Sequence, residues 1–248
     1  MKFIFLGTGA SSGVPMAGCQ CPICKSGLMK NQRLRASGIF RGAGKNFLLD
    51  ASPDIRMASL KYDIRNIDAL FVTHPHEDHI GGMNDLRSFT FLHKQPIKLY
   101  LSEPTLEILR VRFDYLLERF EIHVLEGARG KVEVAGVPFS YFTYHQQGMQ
   151  VTGFRRGSFA YVTDIKEYDA SIFSDLAGVE TLVLGALHET ESRMHFTISE
   201  AVQFVEQIPS VKQCYLTHLS HEVEYETMSR SLPEKVQLSY DGLEVNVR

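Results

Sequence analysis

Directly behind the apolar run Ala69-Leu70-Phe71-Val72-Thr73 the chain reads His74-Pro75-His76-Glu77-Asp78-His79. The run predicts a short buried strand, so three imidazoles and a carboxylate occupy the loop at its C-terminal end. Strand-end loops are where layered α/β proteins place their ligands and chemistry. Imidazole and carboxylate suit zinc, manganese or iron, and two cations side by side need about this density of donors. The motif therefore demands a fold whose strands deliver ligands to one edge, and it points to a dinuclear metal site. His74 and His76 alternate and can reach one ion, while Asp78 and His79 turn toward a second.

Two ions about 4 Å apart need further donors and a bridging group. Candidates recur after other predicted strands. His145 follows Phe139-Ser140-Tyr141-Phe142-Thr143-Tyr144, Asp164 ends Ala160-Tyr161-Val162-Thr163, and His218 follows Cys214-Tyr215-Leu216-Thr217. Further strand-like runs are Phe3–Leu6, Asn46–Leu49, Ile97–Leu101, Val137–Thr143, Phe159–Thr163, Thr181–Leu184 and Gln213–Thr217. Val236–Tyr240 and Leu243–Val247 flank Asp241-Gly242, which predicts a tight hairpin. Ser102 precedes a helical pattern of Leu106, Leu109, Phe113, Leu116, Leu117 and Phe120. Thr197-Ile198-Ser199-Glu200 is a capping box opening a second helix. Many strands with interspersed helices predict an α/β or α+β architecture with the strands central. With no repeat or linker, a single domain over residues 1–248 is expected.

Charged residues make up 22% of the chain and the net charge is −3, which argues against bulk nucleic-acid binding. Lys25, Lys30, Arg33, Arg35, Arg41 and Lys45 cluster locally, and a solvated face explains them better than a phosphate patch. No stretch is long enough for a membrane span, and Phe3–Leu6 is too short for a signal-peptide core. A cytoplasmic setting with reduced thiols is expected. There, Cys19-Gln20-Cys21-Pro22-Ile23-Cys24 reads as three thiolate ligands of a structural zinc. His221 is the candidate for the fourth ligand, because Thr217-His218-Leu219-Ser220-His221 can turn one imidazole to each site. Cys214, alternating within a strand, reads as core.

In order along the chain, Phe5-Leu6-Gly7-Thr8-Gly9, Leu49-Asp50, the His-x-His-x-Asp-His core, His145, Asp164 and Thr217-His218 resemble the metallo-β-lactamase superfamily. The resemblance implies a four-layer αβ/βα sandwich with the site at one edge of its two sheets. It assigns His74, His76 and His145 to one metal and Asp78, His79 and His218 to the other. Asp164 would bridge, and Asp50 would brace the metal-binding loop from behind. The cysteine loop narrows the resemblance to the branch of PhnP-type cyclic phosphodiesterases, and PqqB accessory proteins carry a comparable loop. Ribonuclease Z shares the phosphodiesterase layout, but nothing here resembles its long tRNA-holding arm.

His195-Phe196-Thr197-x-x-Glu200-Ala201 resembles the His-Thr-x-x-Glu-Ala segment of the phosphodiesterase branches. By that resemblance His195 contacts the phosphate and helps protonate the leaving oxygen. The dipole and free N–H groups of the helix beginning at Ile198 are expected to help hold a phosphoryl oxygen. The implied activity is hydrolysis of a small, cyclic phosphodiester by a metal-bridging hydroxide, with His195 as an imidazolium donor of ordinary pKa. Asp78 belongs to both the ligand set and the catalytic centre. The expected cofactors are two divalent ions (zinc or manganese, with iron also suited) and one structural zinc, about three metals per chain. Rival readings are a thioester or ester hydrolase of the same superfamily, a PqqB-like accessory protein and an RNA-processing nuclease. The resemblance also allows a homodimer.

Overall fold

The computed structural model describes residues 1–247. In chain order the strands are β1 Lys2–Gly7, β2 Ser37–Gly42, β3 Lys45–Leu49, β4 Ala69–Phe71, β5 Ile97–Ser102, β6 Phe120–Leu125, β7 Arg129–Val134, β8 Val137–Gln146, β9 Met149–Arg156, β10 Phe159–Val162, β11 Thr181–Gly185, β12 Gln213–Thr217, β13 Val236–Leu238 and β14 Glu244–Asn246. The helices are α1 Pro22–Lys25, α2 Ile55–Lys61, α3 Glu77–Ile80, α4 Met83–His93, α5 Glu103–Leu117, α6 Ile172–Asp175, α7 Ile198–Glu206 and α8 Tyr225–Ser231. The strands form two seven-stranded sheets, ordered β14-β1-β2-β3-β4-β5-β6 and β13-β12-β11-β10-β9-β8-β7.

Side-chain alternation explains the layering. On β1, Phe3 and Phe5 join an aromatic core between the sheets, whereas Ile4 and Leu6 face the helices outside the first sheet. Phe40, Phe47, Phe71, Phe139, Phe154 and Phe159 complete the inner layer, with Phe3 and Phe159 ring centres 4.8 Å apart. Ile55, Met83, Leu86, Leu106 and Leu109 cover the first sheet from outside, and Ile198, Ala201, Phe204 and Val205 cover the second. The product is the predicted helix–sheet–sheet–helix sandwich.

Each sheet is antiparallel in one half and parallel in the other. The parallel runs β3-β4-β5-β6 and β10-β11-β12-β13 end at chain positions that continue into Asp50, His74, Asp164 and His218. Parallel α/β strands present their loops at their carboxyl ends, so these residues are delivered together. The helix after Ser102 buries Leu106, Leu109, Phe113 and Leu116 as predicted, but Phe120 already belongs to β6. The capping box is formed: Thr197 Oγ1 accepts from the Glu200 amide at 3.1 Å, and Glu200 accepts from the Thr197 amide at 2.7 Å.

One expectation fails here. Asp241-Gly242 does not join a hairpin, because β13 lies in the second sheet and β14 in the first. Gly242 has a φ of 96°, so the turn is real. Yet the strands after and before it pair with β1 and β12 instead of each other. Turn chemistry specifies a reversal of direction; partner choice is settled by which sheet edge is free.

Candidate metal centre

The site assembles around Asp50, which β3 delivers at its C-terminal end with a φ of 59°. Its Oδ1 accepts the Thr73 amide at 2.8 Å and its Oδ2 accepts the Thr73 hydroxyl at 2.9 Å. The His79 Nδ1 lies 2.7 Å from the same Oδ2. Asp50 thus pins the start of the histidine loop and orients one of its imidazoles, leaving Nε2 to face inward. That Nε2 is buried without a hydrogen bond, while carboxylate oxygens of Asp164 and Asp78 lie at 3.2 and 3.4 Å. A lone nitrogen between two carboxylates is the surrounding a divalent cation fits.

His74, His76 and Asp164 bring ligand atoms within 4.8 Å of one another, as do Asp78, His79 and His218. The His74 Nε2 and His76 Nδ1 are 3.1 Å apart. His218 Nε2 lies 3.2 Å from Asp78 and 3.4 Å from Asp164. Asp164 sits between the two groups, steadied by the Thr163 hydroxyl at 2.6 Å. It takes a φ of 53°, and His218 takes 63°. Such left-handed backbone is costly for residues with a Cβ and clusters where geometry is functional. A Cβ on Gly185 would come within 2.7 Å of the Asp164 amide nitrogen, so the end of β11 must be bare for this approach.

Burial opposes the charge on Asp164, but His218, His79 and His74 outweigh it and hold the carboxyl well below its usual range. Burial likewise opposes a proton on His79, yet Asp164, Asp50 and Asp78 raise its affinity well above ordinary. His74 goes the other way, because burial and the neighbouring His79 both disfavour its charged form. The buried ring is therefore a neutral donor, as metal ligation requires.

His145 is not brought into the site and does not join either ligand group among the described residues. Its side chain is exposed, and its backbone pairs with Glu167. Strand β8 alternates: Phe142, Tyr144 and Gln146 share a buried face, and position 145 lies on the other. In its place Gln146 enters, with Nε2 3.2 Å from Asp164 Oδ1. Sequence reading missed Gln146 because β8 is apolar on both faces, which hides the alternation. The signal that could have found it is Gln147-Gly148, whose φ values of 46° and 74° form a tight turn and make residue 146 the last of its strand.

His195 is placed at the rim, its ring centre 4.6 Å from that of His218 and its Nδ1 3.3 Å from Asp164. Burial, with His218 beside it, pushes its imidazolium down to about 4, a correction to the ordinary value expected. The free amides expected at the start of α7 are also largely spoken for. The Ile198 amide donates to His188 and the Glu200 amide to Thr197.

Cys19, Cys21, Cys24 and His221 gather in a separate group. His221 Nδ1 is 3.5 Å from both the Cys19 and Cys21 sulfurs. The Cys24 amide and then His221 draw the Cys21 thiol down to about 6. An easily ionised thiol beside two more thiols and an imidazole matches the donor set of a structural zinc. Buried Arg33 ties this loop to the one carrying His218, donating to Ser220 O at 3.0 Å and Val223 O at 2.8 Å. Arg33 thus leaves the basic cluster for the interior, and Arg35 and Lys45 pair with Asp54 and Asp68. Cys214 is buried core, as expected.

These features define a class. A model of the β-lactamase superfamily domain matches residues 45–219, and the chain belongs to the metallo-β-lactamase superfamily of hydrolases, whose fold binds divalent metal. Within it the chain is PhnP-like. A solved structure described as a new diphosphatase from the PhnP family is 34% identical, with a TM-score of 0.94 over 98% of this chain and 96% of that one. An octanoyltransferase of Porphyromonas gingivalis is 32% identical over 98% of this chain but only 51% of its own length. The chain spans about half or less of the first curated relatives it matches. Zinc-bound PqqB of Methylobacterium extorquens shares the fold at a TM-score of 0.80 and 20% identity, each chain fully covered. Among the described residues no helix is long and apolar enough to cross a membrane.

Proposed function

We propose that this protein is a divalent-metal-dependent phosphodiesterase that hydrolyses a small, cyclic phosphodiester. The observation that carries the reading is the buried double group of imidazole and carboxylate donors, with His195 stacked at its rim. His74, His76 and Asp164 would hold one ion, Asp78, His79 and His218 the other, with Asp164 shared. When bound, two such ions supply a water nucleophile at neutral pH and neutralise charge on phosphoryl oxygens. Asp50 and Thr73 keep the ligand loop in position throughout.

His195 contributes through its proton affinity. Burial and the neighbouring His218 disfavour its protonated form, and the negative charge of an anionic phosphodiester beside it would favour that form. From the rim the protonated ring can donate to the departing oxygen. A small-molecule substrate suits this site, and a reducing compartment such as the cytoplasm suits the thiolate group, where a zinc would clamp the Cys loop to the His218 loop.

A second reading, cleavage of a phosphoanhydride, is favoured by the diphosphatase of the PhnP family that this chain resembles at 34% identity. The deciding experiment measures turnover of bis-(p-nitrophenyl) phosphate, 2′,3′-cyclic nucleotides and a nucleotide diphosphate ester, with metal analysis on the same sample. Hydrolysis of the cyclic diesters that requires manganese or zinc supports the proposal. Fully loaded protein that leaves every ester intact overturns it in favour of a thioester substrate or a PqqB-like accessory role.

A further inference from the structure

The residue at the end of β8 has a consequence for the metal centre. Gln146 pairs with Met149 across the β8–β9 hairpin, and the two-residue turn between them leaves no slack for a register slip. The side chain that reaches the His74/His76/Asp164 group is therefore an amide, only 1% exposed. Its Nε2 contacts Asp164 Oδ1 at 3.2 Å and His195 Nδ1 at 3.2 Å, and its Oε1 is buried with no hydrogen-bond partner. A buried carbonyl oxygen without a partner costs about 1–3 kcal/mol, and a glutamine with one end idle is poor packing for a core. Half a turn of the terminal amide exchanges its two atoms with no change of shape and aims the oxygen at Asp164's neighbourhood.

We propose that Gln146 is the fourth protein ligand at the His74/His76/Asp164 end, offering its amide oxygen to the ion, and that this makes the two ends chemically unequal. The inference rests on the dinuclear reading of the site. An amide oxygen is a harder donor than an imidazole nitrogen. Both ends carry two imidazoles and share Asp164, so the difference is one of charge: the remaining donor is a neutral amide oxygen beside His74 and His76 and the Asp78 carboxylate beside His79 and His218. One ion would then be held tightly and the other exchangeably, with the exchangeable one next to His195.

The test strips the full-length chain with a chelator and titrates zinc and manganese separately, reading ions bound per chain and manganese electron paramagnetic resonance. Gln146→Leu should weaken one ion by about tenfold or more and leave the other unchanged. Gln146→His should tighten zinc at that same position, and His145→Ala should change nothing. The proposal is overturned if Gln146→Leu binds both ions as the parent does, or if His145→Ala weakens one of them. Failure of every variant and the parent to bind any ion at this cluster sinks the dinuclear reading and the inference together. Unequal binding that follows the variants as stated, in a protein that hydrolyses no phosphodiester, upholds the inference and rejects the proposed substrate.

Discussion

The two ligand clusters hang from the same short loop, His218 facing one and His221 the other, yet they are built in opposite ways. The thiolate group takes three ligands from one six-residue stretch, stays partly exposed and borrows one remote imidazole. The larger cluster gathers residues from the ends of β3, β4, β8, β10 and β12, buries nearly all of them, and holds Asp50, Asp164 and His218 in left-handed backbone. A local site can be stabilised by its own ion. A distributed site must be held by the fold before the ion arrives, which is why Asp50, Thr73 and Thr163 surround it with hydrogen bonds.

This contrast can be broken most severely at His79. His79→Ala removes the partner of three buried carboxylates, Asp50, Asp78 and Asp164, and breaking a buried pair costs about 3–5 kcal/mol. Turnover should vanish and the thermal midpoint should fall; unchanged melting would mean that Asp50 does not need its imidazole. The turn at Asp241, between β13 and β14, offers a gentler probe. Asp241 accepts from the Thr8 hydroxyl and the Leu34 amide, and burial pushes its pKa up from 3.8 to about 6.

A carboxyl whose pKa is higher folded than unfolded binds its proton more tightly when folded. Below about pH 4 both states are protonated and there is no penalty; between about 4 and 6 the unfolded chain sheds its proton first, and stability falls by on the order of 3 kcal/mol. Asp241→Asn should flatten that dependence in denaturant midpoints taken on either side of this window. An equally steep dependence in the variant would place the effect elsewhere.

His195→Ala sharpens the division between holding ions and using them. Turnover should drop about a hundredfold, the low end for a lost proton donor, with metal content unaltered. Full activity would return His195 to the role of an ordinary rim residue. Cys21→Ser should have the smallest effect on hydrolysis, less than about tenfold, since its influence passes only through the loop. Metal analysis should nonetheless show one zinc fewer per chain, and retention of all the zinc would dismiss the thiolate site.

What could be read ahead of the structure follows the same division. The strand endings at Thr73, Thr163 and Thr217 were legible because each is an apolar run that stops at a ligand type, and the capping box at Thr197 because both partners lie within one turn. The strands β2, β6, β7 and β9 were not legible. Arg129–Val134 alternates charged and small residues, and Ser37–Gly42 contains two glycines, so neither carries an apolar pattern of its own. They are strands because a neighbour offers hydrogen bonds, which is tertiary context overriding local preference.

The difference is sharpest over the span of two adjacent residues. Sequence by itself determined that imidazoles and carboxylates follow buried strands, that three thiols share one loop, and that central strands are interspersed with helices, because these depend on residue type and short spacing. Only the tertiary structure decided that Gln146 enters the metal centre while His145 faces away, and that β13 and β14 part company at Gly242. A strand turns its side chains over at every residue, so one position of register, set by a distant turn and partner, reverses what each residue can touch.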